Sequence, residues 1–187
     1  MPEDKSLIRT WHGSFLSRTT DLPISFILGG NIINGIPDTW QTTSHRRRID
    51  ANISEIVFEG TDSKTGLHVR VECYEYHDYP VMEWEVWFTN KGNEPTPVLS
   101  DIRVMDGTIK GHSPVLDHCN GDFYSAEGYS PQQTTLNSGD VVSFAPNGGR
   151  PCDGAFPYYR VVFDDGGISI SIGWPAQWVA RYEGLPE

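Results

Sequence analysis

The sequence has little cysteine and no long apolar run, and these two absences exclude several classes of protein. Cysteine occurs three times, at Cys73, Cys119 and Cys152, without CxxC spacing. A disulfide framework uses an even and denser set, so free thiols and a reducing compartment are favoured. One bridge, for instance between Cys119 and Cys152, beside one free thiol stays open. No run approaches the length of a membrane span, and Met1 to Lys5 lack the apolar core of a signal peptide. We therefore expect a cytoplasmic protein without a membrane partner.

Basic residues are also scarce, with 14 Lys and Arg against 25 Asp and Glu and a formal net charge of −11. A surface of this charge repels phosphate backbones, so nucleic acid is not expected as a partner. The one basic run is Arg46-Arg47-Arg48. In an acidic protein such arginines more often pair with nearby carboxylates, and we predict ion pairs there.

Aromatic residues and turn formers are plentiful in this chain. Six Trp, eight Tyr and eight Phe bury much apolar area with few side chains, and 19 Gly with 13 Pro suit many short strands and turns. The length of 187 residues fits one domain. The sequence therefore predicts an all-β fold, an antiparallel β-sandwich, as a single domain over residues 1–187.

Strand signals dominate from about residue 50 onward. The stretches 67–73 and 81–90 alternate apolar and polar residues with a period of two, and His77-Asp78-Tyr79-Pro80 between them predicts a hairpin turn. Arg70 is then expected opposite Glu83 or Glu85 on the solvent face. On the other face of the second strand lie Met82, Trp84, Val86 and Phe88. Further strands are predicted near 24–28, 53–58, 98–105, 115–118, 141–145, 159–163 and 168–174.

No pattern in the chain makes a complete catalytic or metal site. Glu83 and Glu85 stand two apart on one predicted strand, which is typical of surface residues rather than of a glycosidase pair. The stretch 167–171, Gly-Ile-Ser-Ile-Ser, lies inside a strand pattern and does not end in the glycine of a nucleophile elbow. His118-Cys119 is too sparse for zinc. We predict no catalytic residue, no metal and no cofactor in this chain.

The long loops 29–41, 119–139 and 146–157 are the more promising places for binding or docking. Trp174 continues the alternating face of Ile168, Ile170 and Ile172, so we expect it in the core. Pro175 ends that strand, so Trp178 is expected to project as an interface or sugar-contact residue. The candidate residues for carbohydrate binding or domain docking are Trp178, Tyr158, Arg150 and Asp153.

Several stretches, in this order, resemble the N-terminal domain of bacterial α-galactosidases of glycoside hydrolase family 36. The resemblance extends from about Phe26 to Tyr182. Its motifs are Tyr76-His77-Asp78-Tyr79-Pro80, Glu83-Trp84, Phe88-Thr89-Asn90-Lys91-Gly92, Leu99-Ser100-Asp101-Ile102, Gly148-Gly149-Arg150-Pro151, Phe156-Pro157-Tyr158-Tyr159 and Gly173-Trp174-Pro175-Ala176-Gln177-Trp178.

The resemblance implies a supersandwich-like β-sandwich of galactose-mutarotase type ahead of a (β/α)8 barrel that carries both catalytic aspartates. It implies as partners a galactose-containing carbohydrate or the enzyme's own barrel, an oligomeric state and a bacterial cytoplasmic location. This sequence contains no barrel, so no catalytic residue is carried over, and it ends near Arg181 to Glu187, short of the family's sandwich. A free-standing carbohydrate-binding module and a structural interaction domain without sugar affinity stay open.

Overall fold

The computed structural model describes residues 15–121 and 126–186, and within them the fold is all-β. Every strand pairing is antiparallel, which confirms the predicted fold class. The chain divides into two compact units, one up to Thr108 and one from Ile109 onward. The single domain over residues 1–187 stays a prediction.

The first unit contains two antiparallel sheets, after a 3-10 turn at Thr19–Asp21. One sheet has three strands in the order β2-β1-β7, and the other has four in the order β3-β4-β5-β6. The strands are β1 (Ser25–Leu28), β2 (Asn31–Asn34), β3 (Gln41–Arg48), β4 (Ile53–Thr61), β5 (Leu67–Tyr76), β6 (Val81–Asn90) and β7 (Leu99–Arg103).

The core of this unit lies between its two sheets. Strand β1 contributes Phe26, whose ring packs edge-on against Phe88 of β6 with centroids 5.1 Å apart. Strand β5 supplies every second residue to the same cluster, as its alternating sequence predicts. The partly buried face of β6 that packs against it consists of Met82, Trp84, Val86 and Phe88, which confirms the predicted face.

The second unit has a four-stranded sheet, β12-β11-β8-β9, and a two-stranded sheet, β10-β13. Tyr159 of the larger sheet contacts both Phe144 and Tyr182 of the smaller one, at centroid distances of 5.2 Å each. Its core is therefore aromatic. The strands are β8 (Val115–Cys119), β9 (Pro131–Thr135), β10 (Val141–Phe144), β11 (Tyr158–Phe163), β12 (Gly166–Ser171) and β13 (Ala180–Glu183).

The β5–β6 hairpin forms as predicted, but the partner predicted for Arg70 is wrong. Tyr76 pairs with Val81, so the turn has four residues and the register places Arg70 opposite Trp87. Arg70 instead bonds Glu72 on its own strand, with Nη2 2.8 Å from Oε1. Glu83 lies opposite Tyr74. The predicted turn, residues 77–80, is correct and already implies this register, so the error lay in the cross-strand partner assigned to Arg70.

The arginine run lies on β3 and meets carboxylates as predicted. Arg46 bonds Glu75, and Arg47 holds Glu55 through two hydrogen bonds of 3.0 Å. Arg48 donates to the backbone carbonyl oxygens of residues 50 and 51. Two of the three arginines therefore pair with carboxylates, Arg47 on the outer face of the sheet and Arg46 on the other face.

Two of the predicted loops contain strands, since β2 lies within 29–41 and β9 within 119–139. Residues 122–125 of the second loop, and the Met1 to Lys5 segment, lie outside the described residues. Cys73, Cys119 and Cys152 are free thiols. None of the helices in the described ranges is long and apolar enough to cross a membrane.

Candidate functional site

Two loops meet at one end of the second unit's larger sheet, and we call them the loop pair: residues 146–157 and 172–179. The first loop leads into β11 and the second leaves β12. Tyr158 pairs with Ser171, so the start of one strand lies beside the end of the other. The antiparallel register therefore brings both aromatic segments together.

The first loop is shaped by glycines at its tip. The backbone N–H of Arg150 donates to the carbonyl of Asn147 at 3.3 Å, closing a turn around Gly148 and Gly149. Both glycines have positive φ, +62° and +73°, which side chains with a Cβ rarely adopt. The N–H of Asn147 donates in turn to the carbonyl of Asp153 at 2.7 Å. Arg150 is thereby presented at an exposed turn.

Three hydrogen bonds join the second loop to the first. The indole N–H of Trp178 donates to the carbonyl of Pro151, and the side-chain amide of Gln177 donates to that of Pro146, each at 2.8 Å. The backbone N–H of Ile172 donates to the carbonyl of Pro157 at 2.9 Å. Prolines cannot donate, but their carbonyls accept, so the proline-rich loop is held by donors from its neighbour.

The predicted positions of the two tryptophans are wrong, and they are reversed. Trp174 is 62% exposed, whereas Trp178 is 7% exposed and packs edge-on against Tyr159 at 6.2 Å between centroids. Strand β12 ends at Ser171, so its alternation does not reach Trp174. Trp178 turns inward because Tyr159 offers its ring an apolar partner and Pro151 accepts from its N–H.

The other three candidates lie on or beside the first loop. Tyr158 is 47% exposed at the start of β11, while its neighbour Tyr159 points into the core. Arg150 is exposed and Asp153 is half-buried. The structure therefore places Tyr158, Arg150 and Asp153 in one loop region, with the exposed Trp174 at the same end of the sheet.

The sheet face beside Tyr158 is polar. Arg160 follows two residues later on β11 and donates through Nε to Asp117 of β8 at 2.7 Å. Gln133 of β9 donates to the same carboxylate at 2.8 Å. These donors hold the pKa of Asp117 below its usual range, the bond from Gln133 first. The face thus presents oriented charges beside exposed rings.

Two further contacts support the first loop, one from β8 and one from the segment between β8 and β9. Phe156 packs edge-on against Tyr129 with centroids 5.5 Å apart, and its backbone N–H donates to the carbonyl of Cys119 at 3.2 Å. A Cβ on Gly121 would come 2.2 Å from the carbonyl oxygen of Cys152, so only glycine allows this close approach.

The chemistry of these groups suits binding. Stretch 167–171 lies in β12 as predicted, and no three His, Cys, Asp or Glu side chains within the described ranges are placed to hold a metal ion. His118 bonds Thr134 at 3.1 Å and its ring packs at a tilt of 50° against Phe144, and burial lowers its pKa. Exposed rings beside polar groups are the elements with which proteins hold sugars and other small polar ligands.

One exposed ring was not recognised as a candidate from the sequence. Trp87 of β6 is 54% exposed on the outer face of the first unit's four-stranded sheet. The sequence does contain a signal for this exposure. Because the side chains of a strand alternate, the pattern that places Val86 and Phe88 in the core places Trp87 in solvent. Tryptophan is enriched at interfaces, so an indole on a strand's solvent face is a candidate contact residue.

The fold defines the class of the chain as an antiparallel all-β sandwich protein, and one comparison with solved structures refines this. The chain resembles a crystal structure of the GH36 α-galactosidase AgaA from Geobacillus stearothermophilus, which is a doubly substituted variant in complex with stachyose. The TM-score is 0.59 at 14% sequence identity, over 87% of this chain and 24% of that chain. This likeness shows the fold. The sequence matches no family model, and it matches no curated protein.

Proposed function

We propose that this chain is a non-catalytic domain of an α-galactosidase-like glycoside hydrolase. It braces a catalytic barrel and contributes to carbohydrate binding or oligomerisation. The observation that carries the proposal is the fold likeness over 87% of this chain to about a quarter of a GH36 α-galactosidase. The collinear motifs of the sequence, which end in the aromatic loop pair, support it independently.

The loop pair supplies the sugar contacts in this proposal. Trp174 and Tyr158 offer exposed rings to the apolar face of a galactoside, and Arg150 and Asp153 bond its hydroxyls. Trp178 acts by holding Pro151, and through it the loop that carries Arg150. The same exposed rings would be covered where a barrel docks.

Titration of the purified chain with galactosides and galactomannan oligosaccharides tests the binding role. We expect weak affinity that falls severalfold in Trp174→Ala and Tyr158→Ala. Tyr79→Ala, at an exposed tyrosine of the β5–β6 turn, is the control and should bind like the parent. If all three variants bind with the affinity of the parent chain, the loop pair is not the sugar site.

The bracing role has two tests of its own. The coding sequence downstream of Glu187 in the gene should encode a (β/α)8 barrel, and the chain alone should not turn over a chromogenic α-galactoside. Turnover that persists in pure protein and disappears in Glu83→Gln or Glu85→Gln would contradict a non-catalytic domain. Light scattering tests the oligomerisation, because a clean monomer at high concentration would argue against it.

Two alternatives are separated by the same measurements. A free-standing carbohydrate-binding module predicts sugar affinity and no barrel gene, and it is favoured by the exposure of Trp174. A structural interaction domain predicts a barrel or another partner and no affinity for any saccharide tested.

A further inference from the structure

The outer face of the four-stranded sheet in the first unit contains an open cleft of about 410 Å³. This volume lies in the range of small-ligand sites. Its lining combines one aromatic ring with charged and hydroxyl side chains: Trp87, Arg70, Lys91, Glu72, Glu59, His68 and Thr89.

The register explains why these side chains meet. Glu59 of β4 lies opposite Arg70 of β5, and Arg70 lies opposite Trp87 of β6. Residues directly opposite on one face of antiparallel strands have neighbouring side chains, so the three form a row across the sheet. Thr89, two residues beyond Trp87 on the same face, lies opposite His68 in the next row.

The polar wall of the cleft is held in place by its own contacts. The Nη2 of Arg70 lies 2.8 Å from Oε1 of Glu72. His68, only 7% exposed, has Nδ1 2.9 Å from the hydroxyl of Thr61 and Nε2 3.4 Å from Oε1 of Glu59. A neutral imidazole satisfies both contacts when it accepts from Thr61 and points its Nε2–H at Glu59. Side chains fixed in this way lose little entropy when a ligand arrives.

Trp87 is the one large apolar surface in this polar setting. Its ring is 54% exposed, although burial of an indole is favourable. An apolar ligand does not fit this charged lining. The two carboxylates are balanced by the cations of Arg70 and Lys91, so the cleft has no excess charge to select an anion or a cation. The combination fits a neutral molecule with one apolar face and many hydroxyls.

We propose that the cleft is a carbohydrate-binding site, in which a pyranose ring of a neutral oligosaccharide stacks on Trp87. Its hydroxyls donate to the carboxylate of Glu72 and accept from Arg70, and Thr89 bonds a neighbouring hydroxyl. The choice of sugar as ligand rests on the proposed function, whereas the cleft itself belongs to the first unit and uses no residue of the loop pair.

Ligand titration of the full chain tests this site. Stachyose, melibiose and galactomannan oligosaccharides are titrated up to roughly 10 mM, and binding is followed calorimetrically and by the tryptophan fluorescence. We expect Trp87→Ala to weaken binding at least about tenfold, as loss of a central aromatic contact does. Trp87→Phe keeps a ring and should lose less.

Tyr79→Ala is the control for this experiment, because it removes an exposed ring of the β5–β6 turn that belongs neither to the cleft nor to the loop pair. Circular dichroism and urea unfolding of each variant verify that the fold is kept. Glu72→Gln, which keeps the shape but not the charge, should weaken binding severalfold at unchanged stability. Affinity in Trp87→Ala equal to that of the parent chain overturns the cleft proposal, and so does the absence of binding to every saccharide.

The variants at the two proposed sugar sites distinguish the cleft from the loop pair. Loss of affinity in Trp174→Ala and Tyr158→Ala, with Trp87→Ala unaffected, keeps the loop pair and rejects the cleft. The opposite pattern keeps the cleft and rejects the loop pair. A barrel gene downstream, combined with no affinity in the parent chain, keeps the bracing role and rejects both sugar sites.

Discussion

The indole of Trp178 packs edge-on against the ring of Tyr159, with centroids 6.2 Å apart and planes at 81°. Its N–H also donates to the carbonyl of Pro151 at 2.8 Å. One side chain thus joins the aromatic core of the second unit to the loop that presents Arg150. The contact makes Trp178 a structural residue whose removal should be felt both in stability and in the loop.

Stability measurements on the two tryptophan variants follow from this contact. Trp178→Ala should lower the free energy of unfolding by roughly 3–5 kcal/mol, because it empties a core site and leaves a carbonyl without its donor. Trp174→Ala should change it by less than about 1 kcal/mol, as exposed substitutions usually do. Urea unfolding curves of the two variants decide the matter. A loss in Trp174→Ala as large as that in Trp178→Ala would contradict this description.

The reversal of the two tryptophans shows where the sequence pattern stops being informative. Alternation locates a side chain only as long as the strand continues, and β12 ends three residues before Trp174. Beyond that point the direction of each ring is set by tertiary partners. The carbonyl of Pro151, which accepts from Trp178, lies 27 residues away along the chain, and no local pattern predicts it.

The buried hydroxyl of Tyr159 should reduce the stability of the folded chain. No residue in the described ranges donates a hydrogen bond to this hydroxyl or accepts one from it. Burial also raises the pKa of this phenol. An unsatisfied buried polar group costs about 1–3 kcal/mol, so Tyr159→Phe should leave the free energy of unfolding equal or increase it. Tyr159→Ala, which also removes the ring, should be strongly destabilised. A clear loss in Tyr159→Phe would mean that the hydroxyl has a partner.

The strands were predictable to the degree that their side chains alternate. Residues 81–90 were predicted as a strand and form β6 with the same limits. Strand β3, Gln41–Arg48, was missed because it has no apolar residue, although all eight positions pair with β4. Such an edge strand is held by backbone hydrogen bonds, and its polar side chains protect the edge. The four-residue β13 was missed because it is too short to show a pattern.

The thiol of Cys73 should be the least reactive of the three. It is fully buried in the core of the first unit, and burial raises its pKa to about 12. Thiolate is the reacting form, so an alkylating reagent at pH near 8 should modify Cys73 only when the unit opens. Cys119 and Cys152 are half-buried and should be modified earlier. Mass spectrometry of timed samples gives the order, and full denaturation should equalise the three. Early modification of Cys73 in the native chain would be inconsistent with its position in the core.

Two histidines, His68 buried and His118 half-buried, predict how stability depends on pH. Burial lowers the folded-state pKa of His68, and of His118, below the ordinary value of 6.5. For His68, Lys91 and Arg70 act in the same direction, whereas Glu59 opposes it. Between the lowered pKa and 6.5 the unfolded chain therefore binds protons that the folded chain does not bind, so acid favours unfolding.

We expect the free energy of unfolding to be largest above pH 6.5 and to fall as the pH drops below it toward the folded-state pKa values. Urea unfolding at several pH values from about 7.5 to about 5 measures this change. The lower limit keeps Asp21 and Asp117 ionised, since their lowered pKa values affect stability only at more acidic pH. Replacing both histidines, as His68→Asn with His118→Asn, should flatten the curve, and each single variant should remove part of it. A double variant with the parent's slope, or stability that rises on acidification, would assign the pH response to other groups.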